Sequence, residues 1–480
     1  MISVEININK TTLGGNPELL LALYEHLSFR HPNAFFIKKK MHRHWDGMIH
    51  PLTNGGKIAT GLLDSCIAFL VDQGETDFRV KDLRPLPKFT EEMVTHVAGF
   101  ELRPYQVASI QAIKENSSSG VVANPRGILQ LSMNAGKTLL AMALYENIVD
   151  AKVLILLSSS VLYKQFKDDL AKAYPDDYGF MQGKAIKWGS IMVCMIHTLK
   201  NRLIEYNREL RDYNVLLVDE CELGASKTAE TIYNKLWHIG VRIGLTGTAF
   251  IRNLAKDRIR NLEMRKLFGE ALFEVTMKDL EDMGVSTPVE VILYEGNKGN
   301  YQGTSFLEEF NHNITENKSR TRKLIRLVKK EKRQGYMPML IVNRFVKQCE
   351  NIFEEVSKAL PHTSVGIIHT NTSSKEKAQV IKDFRSGRVE ILVANLLIKR
   401  GMNFPLIQCI INNSGGEHPS TPLQVLGRGT RAHETKTIFH FIDFMDKGRY
   451  LTRHSKGRVI AYKRQSIKIR NYDYTRRIKE

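Results

Sequence analysis

Residues 215–220 read VLLVDE, and the segment 215–225 as a whole reads VLLVDECELGA. Four aliphatic residues in a row describe a strand buried on both faces, and such strands are the mark of parallel sheets covered by helices. The run ends abruptly in two adjacent carboxylates, Asp219 and Glu220, which sets both acids at one rim of that sheet. Similar runs recur on either side: ILQL (128–131), KVLILL (152–157), IMVCMI (191–196) and RIGLTG (242–247). After an interruption at DLEDMGVSTP they resume with VEVILY (289–294), MLIVN (339–343), VGIIH (365–369), EILVAN (390–395) and IQCIIN (407–412). Amphipathic stretches separate them, so the alternation predicts an α/β protein with two tandem parallel-sheet domains.

The expected organisation is a small N-terminal α/β module over 1–83 and a linker over 84–100, opened by RPLPK. Two α/β domains over 101–284 and 285–446 follow, with a basic tail over 447–480. In the module, ISVEINI alternates like a half-buried strand, whereas PELLLALYEHLSF and IATGLLDSCIAFLVDQG read as helices. No low-complexity tract or internal repeat is present.

The chain has 480 residues, 70 Lys or Arg against 51 Asp or Glu, and a net charge of +19. That excess favours a polyanionic partner, nucleic acid before an anionic membrane. The five cysteines are scattered without a CxxC pair, which argues against a disulfide scaffold or a zinc site and for a reducing compartment. No apolar run is long enough to span a bilayer, so a cytoplasmic protein is expected, in the host cytoplasm if the chain is phage-encoded.

LSMNAGKTLLAMAL (131–144) follows a strand and opens a helix. A loop ending in Gly136-Lys137-Thr138 there presents backbone N–H groups to phosphate oxygens, among them those of Asn134, Ala135 and Gly136. Lys137 can reach the β and γ phosphates and Thr138 a magnesium ion. Leu131 stands where the strict phosphate-loop spacing asks for glycine. Asp219 supplies the carboxylate such a site needs for Mg²⁺, and Glu220 one to orient the attacking water. QVLGRGTRAH (424–433) sets Arg428 and Arg431 three apart, on one face if the segment is helical, where guanidinium groups can stabilise charge on a transferring γ-phosphate.

The order of these motifs resembles the superfamily 2 helicases and translocases from about residue 101 to 445. The resemblance implies two RecA-like domains that bind ATP with Mg²⁺. It makes LRPYQ (102–106) the adenine-reading segment, with Arg103 and Gln106, and puts Gly401 and Asn403 of LLIKRGMNFP at the nucleotide. Glu222, Thr246, Thr248 and Gln424 would relay nucleotide state. Contacts to the nucleic-acid backbone would fall to Ser159 and Ser160 (SSSVLYKQF), Thr198 (IHTLKN), Arg344, His369 and Thr370 (IIHTNTSSKEKAQVIKDFRSG), and Asn395. KKKMHRHWDGMIHPL (38–52) further resembles the front module of phage UvsW-type recombination helicases, which drive branch migration and fork regression. On that likeness Lys38, Lys39, Lys40, Arg43 and Trp45 engage branched or forked DNA. Trp45 also reads as a core residue of a small domain.

Four positions depart from the family pattern. Glu222 replaces a His, and its carboxylate can accept from the Gln424 amide or the Thr246 hydroxyl. Asn403 replaces an Asp, Asn395 a Thr, and Thr370 a Gly. Nine of the sixteen residues from Lys318 to Arg333 are basic, a DNA contact or a solvated face. In the tail, Tyr450, Tyr462, Tyr472 and Tyr474 stand among cations, a composition suited to stacking on bases. An RNA helicase, a restriction-system motor subunit and an annealing protein with a vestigial ATPase are the alternative readings.

Overall fold

The computed structural model describes residues 1–40, 45–118, 120–222, 227–247, 250, 255–296, 301–396, 404–416, 420–434 and 436–472. The chain divides into two compact units. The first comprises Met1–Leu131 and Gly136–Val275, and the second Ser132–Ala135 and Thr276–Glu480.

In the first unit the aliphatic runs form an eight-stranded sheet. Its order is 185–187, 178–182, 191–195, 153–157, 215–219, 241–246, 126–131 and 271–275. Neighbours pair in parallel except for the hairpin of the first two. The strand Val215–Asp219 lies at the middle of the sheet with all five residues buried, as its unbroken apolar run requires. Its register pairs Asp219 with Leu245, and Thr246 with Gln130. The phosphate loop and the acidic pair therefore emerge at one edge, the carboxyl ends of two strands separated only by 241–246, where open α/β sheets bind ligands.

The same unit contains the N-terminal module, a four-stranded sheet ordered 57–59, 10–15, 2–6 and 78–82. Ile2, Val4, Ile6, Leu13, Leu23, Cys66 and Leu70 form its core. Helix Pro17–Leu27 begins with proline and is capped by the Asn16 side chain, the arrangement that satisfies first-turn N–H groups. Residues 58–74 are not one helix as expected. Lys57–Ala59 is a strand, Thr60–Leu62 a tight turn, and the helix proper is Leu63–Asp72.

The module is fastened to the large sheet by buried polar groups. Arg126, on the strand 126–131, donates to the carbonyls of Lys266 (3.2 Å), Leu267 (3.3 Å) and Ile8. Asn124 donates to Asp64 at 2.8 Å and Ser65 to Glu270 at 2.5 Å. Arg84, expected in a linker, is an anchor: it grips Asp82 through two nitrogens and reaches the carbonyl of Ala123. Residues 88–94 continue along the surface of the same unit, Lys88 accepting from Val149 and Val94 exchanging bonds with the Asn147 side chain.

The second unit holds a seven-stranded, all-parallel sheet, ordered 365–368, 391–395, 339–343, 409–412, 439–445, 289–295 and 468–472. Its last two helical and extended segments correct the expectation of a basic tail. Helix Leu451–Arg464 buries Leu451, Arg458, Ala461 and Tyr462, and strand Lys468–Tyr472 pairs with Val289–Glu295. Tyr462 is a core residue whose hydroxyl donates to Asp443 at 2.7 Å, so it is closed to bases. Tyr474 lies outside the described residues. The basic helix Lys318–Arg333 is likewise only partly solvated: Arg320 is buried on Asp446 and Asn413, and Lys332 binds Glu390. No helix among the described residues is long and apolar enough to cross a membrane.

Candidate nucleotide-binding site and nucleic-acid contacts

The phosphate loop is built by backbone geometry before any side chain acts. Asn134 takes φ 69° and Gly136 φ 74°, left-handed values that turn the chain sharply into helix Lys137–Asn147 and aim its first N–H groups at the loop. Glycine is required at 136 for a second reason: a Cβ there would stand 2.7 Å from Gln106 Nε2. Gln106 is buried, and its carbonyl accepts from the Arg103 amide at 2.9 Å. That bond pins the side chain with its amide nitrogen beside the loop.

An open cavity of about 540 Å³ is lined by Phe100, Arg103, Gln106, Gly136 and Thr138 among others. Its size and its position at the head of the phosphate loop suit a purine base. Phe100 was not anticipated from the sequence. It is 64% exposed, a phenyl face open to stacking, and an aromatic three residues before Arg103 was the available signal.

Lys137 Nζ stands 3.7 Å from Asp219 Oδ1, and that oxygen is buried with no hydrogen-bond partner. Burial raises the Asp219 carboxyl above its ordinary range, against the opposing pull of Lys137. A buried carboxylate oxygen that accepts no hydrogen bond fits a hard divalent cation, so Asp219 is a residue that would hold Mg²⁺, together with Thr138 at the start of the loop's helix. Glu220 adopts φ 51°, an uncommon conformation for this residue type that costs energy and recurs at functional sites. Its Oε2 accepts from Ser158 at 2.9 Å, which fixes the carboxylate beside the metal-side acid.

Glu222 is buried and its carboxyl is raised, chiefly by burial; a hydrogen bond from Thr246 opposes the shift. Thr246 is one of the two partners expected. Arg260 is a second residue sequence reasoning missed: Nε and Nη2 both donate to the Glu222 carbonyl, at 3.3 and 2.9 Å. Within DRIRNLEMRK it carries no distinguishing signal.

In the second unit, helix Ser420–Leu426 carries a half-buried Gln424 and ends before the arginines. Gly427 and Gly429 close it, and a Cβ on Gly429 would strike the Phe439 ring. The single helical face expected for Arg428 and Arg431 is therefore absent. Arg428 is half-buried in a turn, and Arg431 is exposed in a bridge to Ser286. Lys436, also unanticipated, is buried beneath this loop and donates to the carbonyls of Pro405 (3.1 Å), Arg431 (3.4 Å) and Gly429. Burial pulls its ammonium down to about 8.

Among the expected backbone contacts, Ser160, Thr370 and Lys38 are exposed, and Thr198, Arg344 and His369 half-buried. Arg344 stacks 4.8 Å from the Phe306 ring centroid. Ser159 and Asn395 are buried, Asn395 because it ends a central strand in register with Asn343. Trp45 is half-buried, donates to the Met48 carbonyl at 3.0 Å and meets His31 edge-on. Its indole N–H thus braces a local turn. Lys39 and Lys40 continue the helix Ala34–Lys40. Arg43, Thr248, Gly401 and Asn403 lie outside the described residues.

The family described as type III restriction enzyme, res subunit, matches residues 99–251, and helicase conserved C-terminal domain matches 319–433. The chain belongs to the superfamily 2 helicases. A superfamily relative, the DNA 3′-5′ helicase XPB of Kineococcus radiotolerans, is 26% identical over 334 residues, 66% of this chain and 54% of that protein. Putative helicase 22 of Sulfolobus islandicus filamentous virus is 22% identical over 385 residues, 72% of this chain and 64% of its own. The chain thus spans between about half and two thirds of these relatives' lengths. The helicase fold is also seen in a putative HsdR fragment of a type I restriction enzyme from Vibrio vulnificus, with TM-score 0.54 and 17% identity. That match covers 74% of this chain and 65% of the fragment.

Proposed function

We propose that the protein is an ATP-driven translocase or helicase acting on DNA, with branched or forked DNA as its substrate. The observation that carries the motor reading is the set assembled within the first unit. Lys137 faces a buried, unpartnered Asp219 oxygen, Glu220 is fixed by Ser158, and Gln106 lines a cavity beside the phosphate loop. ATP would place its base in that cavity and its phosphates on the loop. The magnesium ion, when bound, neutralises phosphate charge. Lys137 then holds the β and γ oxygens, and Glu220 orients water for in-line attack. By motif order, Arg428 and Arg431 are the guanidinium groups that stabilise charge on the γ-phosphate.

The net charge of +19 supports nucleic acid as the track, and contacts to phosphate imply weak sequence preference and strong salt dependence. The choice of branched DNA rests on the front module, with its Lys38–Lys40 run and Trp45-Asp46-Gly47. The deciding experiment measures ATPase rate with single strands, duplex, forks, four-way junctions and RNA at matched salt. Forks or junctions are expected to stimulate most, and Lys137→Ala to abolish hydrolysis. Stimulation by RNA above all DNA forms would refute the substrate assignment. Wild-type fork remodelling by the Lys137→Ala protein would refute the motor.

A further inference from the structure

The N-terminal module presents an aromatic pair that its core does not use. Phe35 and Phe36 are each 70% exposed, with ring centroids 5.6 Å apart at 84°. Leaving two phenyl side chains in water forgoes roughly 1.5–3 kcal/mol apiece of burial, so their exposure asks for an occupant. The helix that carries them, Ala34–Lys40, is firmly seated. Ala34 is buried, and a Cβ on Gly47 would come within 3.2 Å of the Ala34 side chain and 3.3 Å of Lys38 Cε. The opposing turn is braced in its own right. His31 donates its amide to the Gly47 carbonyl at 2.9 Å, and Asp46 accepts from the Met48 amide at 2.8 Å and bonds the His50 ring at 2.7 Å. The rings are thus held outward on a rigid support.

Charge selects the occupant. Lys38 is exposed one helical turn after Phe35, and the sequence continues with Lys39 and Lys40. Protein interface cores are depleted in lysine. Phenyl faces beside ammonium groups are what unpaired nucleobases on a phosphate backbone require. We infer that Phe35 and Phe36 form a stacking platform for unpaired bases of DNA, with Lys38 on the adjoining phosphate. The inference rests on the reading of this protein as a DNA motor and adds the recognition element for single-stranded regions at a branch.

The test compares wild-type full-length protein with Phe35→Ala/Phe36→Ala and Phe35→Trp/Phe36→Trp variants. The probe is a single-stranded oligonucleotide carrying 2-aminopurine, titrated over a range of salt. Alanine is expected to weaken binding by about tenfold or more, since each stacked base is worth on the order of 1–3 kcal/mol. The slope of affinity against salt should stay unchanged because the phosphate contacts remain, and tryptophan should restore both affinity and the 2-aminopurine quench. Unchanged affinity in the alanine variant overturns the platform. So does unchanged affinity accompanied by loss of self-association or vesicle binding, which would assign the pair to protein or lipid. If wild-type ATPase responds to DNA while the alanine variant binds normally, only the platform falls. If wild-type ATPase ignores DNA altogether, the motor reading falls instead.

Discussion

Gly61→Ala tests whether the N-terminal module is keyed by shape to the rest of the first unit. Gly61 sits in the turn Thr60–Leu62, and a Cβ there would meet the carbonyl oxygens of Arg265 and Lys266 and lie 2.6 Å from the Lys266 carbonyl carbon. Ordinary carbon contacts begin near 3.5 Å, so one surface must retreat by about 1 Å. Neither carbonyl is free to give. Arg265 O accepts from the Gly269 amide at 2.8 Å and Lys266 O from Arg126. Overpacking of this kind costs about 1–3 kcal/mol, a shift of roughly tenfold to a hundredfold in the seating equilibrium. Hydrogen exchange over 60–72 and 255–268, with limited proteolysis and urea unfolding, should report faster exchange and a lower midpoint. Wild-type protection and midpoint would refute the argument.

Asp64→Asn should stabilise the protein in a pH-dependent way. Burial holds the Asp64 carboxyl up at about 6 against an ordinary 3.8, the Asn124 bond opposing. The folded state binds this proton more tightly than the unfolded, so the benefit is complete below about 3.8 and lost as pH rises to about 6. The displacement corresponds to roughly 3 kcal/mol, reduced by partial solvent access to about 1–2 kcal/mol. Urea midpoints should rise for the variant at pH 7.5 and not at pH 4; an equal gain at both would contradict the assignment. Glu222→Ala removes the Thr246 bond and is expected to lower the ratio of DNA-stimulated to unstimulated ATPase several-fold. An unchanged ratio would exclude a coupling role.

Much of the architecture was legible because both sheets are parallel and buried on both faces. VLLVD, VLILL, MLIVN and ILVAN declare themselves by unbroken aliphatic composition. FHFIDFM (439–445) was passed over because two of its residues are polar. The structure shows why they are tolerated. His440 stacks on Tyr336 and bonds Glu331 at 2.8 Å, while Asp443 is satisfied by Arg458, Tyr462 and Asn412. Those partners lie far along the chain, beyond any local pattern. The last strand was missed for a related reason: KIRNY is an edge strand, paired on one side, and its cations disguised it as tail. In the candidate nucleotide site, Gly136, Lys137 and Asp219 are proposed from local pattern alone, a loop between strand and helix and a strand that ends in acids. Arg260 and Lys436 act on carbonyls brought to them by the fold, and carbonyls leave no trace in composition.

Arg126 has one further implication, for how the first unit is to be dissected. A fragment beginning after residue 83 would lose the Ile8 carbonyl that caps this buried guanidinium, and would bare Leu262 and Val122, whose apolar neighbours are in the module. Such a truncation would be a wounded protein with a sticky flank. Any activity it lost could not be credited to missing DNA contacts, so point changes on the outer face of the module are the sound comparison.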